Sequence, residues 1–152
     1  MSKILISGYY GFANAGDEAM LTAIIESLRQ VEKNVELTVL SGNPEDTAAK
    51  HQVCSVYRFN PLGIIRAMKD SELIISGGGS LLQDVTSKRS LLYYLSIIGL
   101  GKFFGKKVML FAQGIGPIRA KWARKLTSLV CNEADLITVR AVSYTHLRAH
   151  ET

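Results

Sequence analysis

Short apolar runs alternate with helical patterns along this chain, and that alternation constrains the fold more than any other feature. Lys3–Ser7, Val35–Leu40, Val53–Tyr57, Leu73–Ser76, Val108–Ala112 and Leu136–Val139 read as strands. Their apolar character is continuous, as in strands covered on both faces. Residues 17–31 place Ala19, Met20, Ala23, Ile24, Leu28 and Val31 at helical spacing. Asn60-Pro61 offers an N-cap with proline at the first helical position, opening a helix to about Lys69. A long apolar helix is expected over roughly 88–104 and a basic helix over about 118–132. This order predicts an α/β fold, a Rossmann-like parallel sheet with helices on both faces. Right-handed crossovers then point every strand end the same way. Residues 1–140 contain no repeat, low-complexity tract or linker and read as a single domain.

Three strands run into glycine-rich turns: GYYGFANAGDE from Gly8, SGGGSLLQD from Ser76 and AQGIGP from Ala112. In a parallel sheet all three fall on the carboxyl edge, where open α/β sheets bind ligands. Free N–H groups in such turns form concavities for anions, aided by helix N-termini. The first turn spells G-x-x-x-x-G from Gly11 to Gly16, but Asp17 and Glu18 stand where a phosphate loop carries Lys and Ser or Thr. Neither a nucleotide phosphate loop nor a dinucleotide fingerprint fits. Asp17 suits recognition of a sugar hydroxyl or removal of its proton, and equally a favourable place in a first helical turn. For Glu18 the helix-dipole reading is preferred. Asn14 either contacts ligand through its amide or satisfies turn backbone. Gly78, Gly79 and Ser80 form the second candidate cradle, with Ser80 also explicable as an N-cap. Gln83 and Asp84 reach toward the cleft from the next first turn. Gln113 and Gly114 complete the third turn, where Gln113 is either a site amide or a helix cap.

Charge and cysteine usage narrow the function classes. A net charge of +5 is spread along the chain, with its densest cluster at Lys102, Lys106 and Lys107. That balance suits an anionic substrate and argues against nucleic acid, which needs a concentrated stripe. Cys54 and Cys131 stand far apart without a Cys/His cluster. They read as reduced core thiols of a cytoplasmic protein, and no metal site is expected. The opening MSKILISG has too short an apolar run for a signal peptide. His51 falls in a polar connection and is expected to be solvated.

The segment 142–152, VSYTHLRAHET, has no helical or strand period. It resembles the translated transposase adapter of fragment sequencing libraries. Residues 141–152 are therefore expected to be a non-native tail, with Arg140 the last native residue. His146 and His150 then carry no chemistry.

The three turns are also where a family resemblance lies. GYYGFANAGDEAML, LIISGGGSLLQDVTSKRSLLYYL, FAQGIGPI and ADLITVR resemble the polysaccharide pyruvyl transferase family, of the type acting on the bacterial cell-wall polymer that anchors S-layer proteins. The resemblance implies the N-terminal half of a two-domain, glycosyltransferase-B-like fold. It implies phosphoenolpyruvate as donor substrate with no cofactor, and ketal formation on a sugar, N-acetylmannosamine, of a lipid-linked cell-wall polysaccharide precursor at the inner face of the membrane. Arg140 is the matching candidate for holding donor anions, which arginine does bidentately. In the family an Asp would follow it, and here Ala141 stands there. A His and a Lys are expected from a second half, so the chain as given is expected to be inactive alone.

Two other readings stay open: a nucleotide-sugar glycosyltransferase domain, since fold does not settle chemistry, and a non-catalytic domain binding sugar or anion. The run Leu91–Leu100 is too short to span a bilayer. It reads first as a helix buried against the sheet. Peripheral contact with an anionic membrane, through the flanking Lys88, Arg89, Lys102, Lys106 and Lys107, is the lesser reading.

Overall fold

A computed structural model describes residues 2–77, 79–82, 88–115, 118 and 120–139. In chain order the elements are β1 (Lys3–Ser7), α1 (Ala15–Val31), β2 (Glu36–Ser41), α2 (Pro44–His51), β3 (Cys54–Tyr57), α3 (Pro61–Asp70), β4 (Leu73–Ser76), β5 (Gly79–Leu82), α4 (Lys88–Phe103), β6 (Lys107–Ile115), α5 (Lys121–Cys131) and β7 (Leu136–Val139). Every strand pairing is parallel. β1 lies between β2 and β4, β3 flanks β2, and β6 flanks β4. Ser76 pairs with Leu110 and Gly79 with Gln113, three residues on in both strands. β5 therefore prolongs β4 along the same side of β6, while β7 takes the other side, where Val139 pairs with Gln113. The result is the doubly wound α/β architecture expected from the alternation, with helices on both faces.

Strand periodicity divides the core. Leu5, Leu40, Ile74, Val108 and Leu110 face one layer, with Ile64 and Met68 of α3, Leu91, Leu95 and Ile98 of α4, and Ala123 and Cys131 of α5; Cys54, expected in the core with Cys131, is instead exposed at the start of the short outer strand β3. Ile4, Ile6, Leu37, Val39 and Ile75 face the other, under Leu21, Ile24 and Ile25 of α1. The alternation Ile4, Leu5, Ile6 shows the two-residue repeat of a pleated strand. The apolar run of α4 is thus a helix packed on the sheet. Among the described residues, no helix is long and apolar enough to cross a membrane.

The helices start at side-chain caps. Asn14 Oδ1 accepts the Asp17 N–H at 3.1 Å, and Asn60 Oδ1 accepts the Gly63 N–H at 3.1 Å. The cap at Asn14 starts α1 two residues before the apolar period does, so Gly16 lies in a helical turn and not in the loop. α2 departs from expectation outright. Residues 44–51 lack an apolar stripe, yet Asn43 caps Asp46, Pro44 opens the helix, and Lys50 pairs with Asp46 at 3.2 Å. Arg29 holds its far end, donating to the carbonyls of His51 and Gln52 at 3.3 and 2.8 Å. Ser80 is also corrected: it is a strand residue of β5, not an N-cap. Likewise β6 continues through Gln113 and Gly114 to Ile115, past the expected end at Ala112.

Asp135 joins the ends of α4, β6 and β7. Its Oδ2 accepts from Lys102 Nζ at 2.9 Å and from the Val108 N–H at 2.8 Å. These donors hold its carboxyl below the ordinary value of 3.8. A depressed carboxyl stabilises the fold above its unfolded-state pKa and ceases to do so as pH falls through the folded one. Asp135→Asn is therefore expected to lower the urea midpoint at neutral pH, with the deficit closing below about pH 3.8. Urea titrations of both proteins across that range check it.

Candidate functional site

From β1 the chain winds outward through β2 and β3, then returns to β4 on the other side. The strand order reverses between β1 and β4, which opens a crevice at their carboxyl ends. Tyr10 fills the floor of that crevice and is fully buried. A Cβ on Gly8 or Gly77 would collide with its phenol ring, so both positions are limited to glycine by close approach. The Gly77 N–H donates to the Ser7 carbonyl at 2.6 Å, and the Gly42 N–H to the Tyr10 carbonyl at 2.9 Å. Gly11 has φ +86°, and a side chain there would meet Ser41 Oγ and the Asn43 amide. The first glycine turn is in this way folded down onto the ends of β2 and β4.

The two acidic residues after this turn do different work. Glu18 Oε2 accepts the Gly11 N–H at 3.2 Å, while Oε1 lies 3.4 Å from His51 Nε2. Glu18 thereby ties the turn to α2, and His51 is 9% exposed in its side chain, against the expected solvated position. Asp17 uses its backbone N–H in the cap. Among the described residues its carboxylate joins no ion pair. Burial raises its pKa above the ordinary value, and the neighbouring Glu18 charge adds to the rise. The carboxylate also acts electrostatically on the Tyr10 and Tyr94 hydroxyls. Burial pushes Tyr94 up to about 12.

Of the other expected positions, Gly79 and Gln113 are paired neighbours in β5 and β6, with Gly114 next along β6. All three lie beyond the carboxyl end of β4, on the rim that the first turn shares. Asn14 is the cap of α1. Gly16 needs no special backbone, since an added Cβ would meet only Asn14 Oδ1 at an ordinary 3.5 Å. Gly78, Gln83, Asp84 and Arg140 lie outside the described residues, as does the segment 141–152.

One rim residue escaped the sequence reading. Arg58 follows β3 directly, its N–H donating to the Ser41 carbonyl at 3.0 Å and its carbonyl accepting from Tyr93 Oη at 2.7 Å. It is 6% exposed. The signal was present in Tyr57-Arg58-Phe59, a cation between aromatics at a carboxyl strand end. Four of the five rings that enclose it come from distant segments, so the local sequence does not announce the cage.

The match to known families is decided over most of the chain. The polysaccharide pyruvyl transferase model matches residues 14–140. This chain belongs to the polysaccharide pyruvyl transferase family. No curated protein sequence matches it. Among solved structures it is similar to an azoreductase from Bacillus anthracis str. Sterne, at 11% identity over 99% of this chain and 93% of that one, with a TM-score of 0.49. So distant a likeness carries no chemistry. The pyruvyl transferase match begins at the α1 cap and spans the rim strands.

The wedge of Tyr10 against Gly77 gives this site a stability signature. Gly77→Ala is expected to cost about 1–3 kcal/mol, the usual range for overpacking a filled core. Urea unfolding measures it, and an unchanged midpoint would contradict the packing described.

Proposed function

We propose that the chain serves pyruvyl transfer from phosphoenolpyruvate to a cell-wall polysaccharide precursor, with N-acetylmannosamine as the acceptor sugar. Membership of the pyruvyl transferase family is the observation that carries this reading. The rim supports it chemically, since it sets the first glycine turn beside the Asp17 carboxylate, which joins no ion pair among the described residues and suits a hydroxyl. In the reaction the donor methylene gains a proton and becomes a methyl group. The ketal carbon, then oxocarbenium-like, bonds one sugar hydroxyl. A second hydroxyl bonds the same carbon as its bond to the phosphate oxygen breaks, releasing inorganic phosphate. The two hydroxyl protons balance the methyl proton and the proton left to solvent or phosphate.

Asp17 is the residue proposed to accept a hydroxyl proton. A carboxylate raised by burial is a better base than a fully solvated one, and such a group typically contributes 10²–10⁴-fold to rate. Arg140 is proposed to hold a donor oxyanion, and Gly11, Gly78, Gly79 and Gly114 to allow close backbone approach. Ser80, Gln83, Asp84 and Gln113 are proposed as polar contacts to donor or sugar. The donor is a substrate, and no cofactor enters the scheme. The precursor is proposed to be lipid-linked and met at the inner membrane face, by a partner domain completing a glycosyltransferase-B-like cleft. On this reading the chain as given binds the donor without turning it over.

Calorimetric titration with phosphoenolpyruvate and with a uridine diphosphate sugar tests the proposal. Saturable binding of phosphoenolpyruvate alone is expected. Binding of the nucleotide sugar alone would replace it with a glycosyltransferase, and binding of neither would leave a non-catalytic domain.

A further inference from the structure

Arg58 carries a buried charge whose surroundings are incomplete. Its guanidinium carbon lies 4.6 Å from the ring centre of Tyr93, 4.8 Å from Phe59, 5.2 Å from Phe12, 5.7 Å from Tyr94 and 6.0 Å from Tyr9. One amino group reaches Tyr94 Oη at a long 3.5 Å. Among the described residues the buried Nε–H meets no acceptor and no carboxylate pairs with the group. Ring faces attract the cation. Burying an unpaired ion costs more than such contacts return, and rings give a planar N–H donor nothing to bond along its edge. The cage therefore accounts for the charge in part and leaves the Nε–H donor open.

Position indicates what should fill that gap. Arg58 stands at the carboxyl end of β3, fixed through its backbone to β2 and to α4. Tyr9 and Phe12 belong to the first glycine turn, are stacked at 4.3 Å, and are 39% and 41% exposed. These two half-exposed rings stand over the guanidinium on a turn with left-handed residues at Gly11 and Ala13. Arg58 and Asp17 both act on the Tyr94 hydroxyl, yet the two charges form no ion pair.

We propose that Arg58 is an oxyanion-binding residue of the rim, taking the carboxylate or the phosphate of the donor through Nε–H and an adjacent amino N–H when Tyr9 and Phe12 turn aside. The identity of the ligand rests on the pyruvyl transfer reading, whereas the oxyanion chemistry does not. Arginine offers two parallel N–H groups to one carboxylate or phosphate, and a lysine at the same place would offer only a point charge.

The test is calorimetric titration of the unsubstituted chain, Arg58→Met and Arg58→Lys with phosphoenolpyruvate, pyruvate and inorganic phosphate. Loss of one charged hydrogen-bond partner is expected to weaken phosphoenolpyruvate binding about 10- to 100-fold in Arg58→Met, with Arg58→Lys in between. A parallel loss for pyruvate assigns Arg58 to the carboxylate, and a parallel loss for phosphate to the phosphoryl group. Phosphoenolpyruvate binding indifferent to Arg58 would overturn the assignment and leave the donor reading intact. Arg58-dependent binding of pyruvate or phosphate without phosphoenolpyruvate binding would do the reverse, and binding of none would remove both. Because Arg58→Met removes packing as well as charge, the Nε–H resonance of Arg58 in the unsubstituted chain gives an independent readout. It is expected to move downfield at saturating ligand, and an unmoved resonance would overturn the proposal.

Discussion

Tyr10 is the side chain on which the rim depends. Its ring occupies the space that two glycines, Gly8 and Gly77, leave at the carboxyl ends of β1 and β4. Where a parallel sheet reverses its strand order, the two crossovers diverge and a crevice opens. An aromatic wedge at the bottom of that crevice turns a gap into a floor. It also sets the height of the first glycine turn, whose Gly42 and Gly77 hydrogen bonds tie three strand ends together. Among the described residues the Tyr10 hydroxyl and Ser7 Oγ are buried without hydrogen-bond partners. An unmade bond of this kind costs about 1–3 kcal/mol, so the wedge is retained in spite of its polar end.

Above this floor the chemistry separates by charge. Asp17 sits in the first turn of α1 with its carboxyl raised by burial. Arg58 sits after β3 among aromatic rings. Tyr94 of α4 lies under the influence of both. The proposed transfer from an anionic donor to a polyol would draw on that separation, since a carboxylate salt-bridged to the cation would be neither a free base nor a free acceptor. Glu18, one residue on, shows the alternative use of a carboxylate, pinning Gly11 and facing His51.

Most of the architecture was legible in the sequence because parallel strands and their helices carry strong apolar periods. Strand positions held to within a residue or two at β1, β2, β3, β4 and β7, and Asn60-Pro61 marked its helix start. What was not legible depended on polar and tertiary terms. α2 has caps and an ion pair in place of an apolar stripe. β5 follows a glycine run that mimics a turn, and only its register against β6 makes it a strand. The glycine turns pointed to the carboxyl edge of the sheet, but the cage around Arg58 draws four of its rings from two distant segments, and His51 meets Glu18 only because α2 folds against α1. Local patterns cannot announce such meetings.

The central claim is that the carboxyl edge, around the first glycine turn and the β5–β6 extension, receives an oxyanion donor. Amide hydrogen exchange with and without saturating phosphoenolpyruvate tests it most directly. Slower exchange is expected in residues 8–18, 77–82 and 111–115, with the amino edge around residues 32–36 and 105–107 unchanged. Protection confined to the amino edge, or none at the carboxyl rim under saturation, would contradict the account.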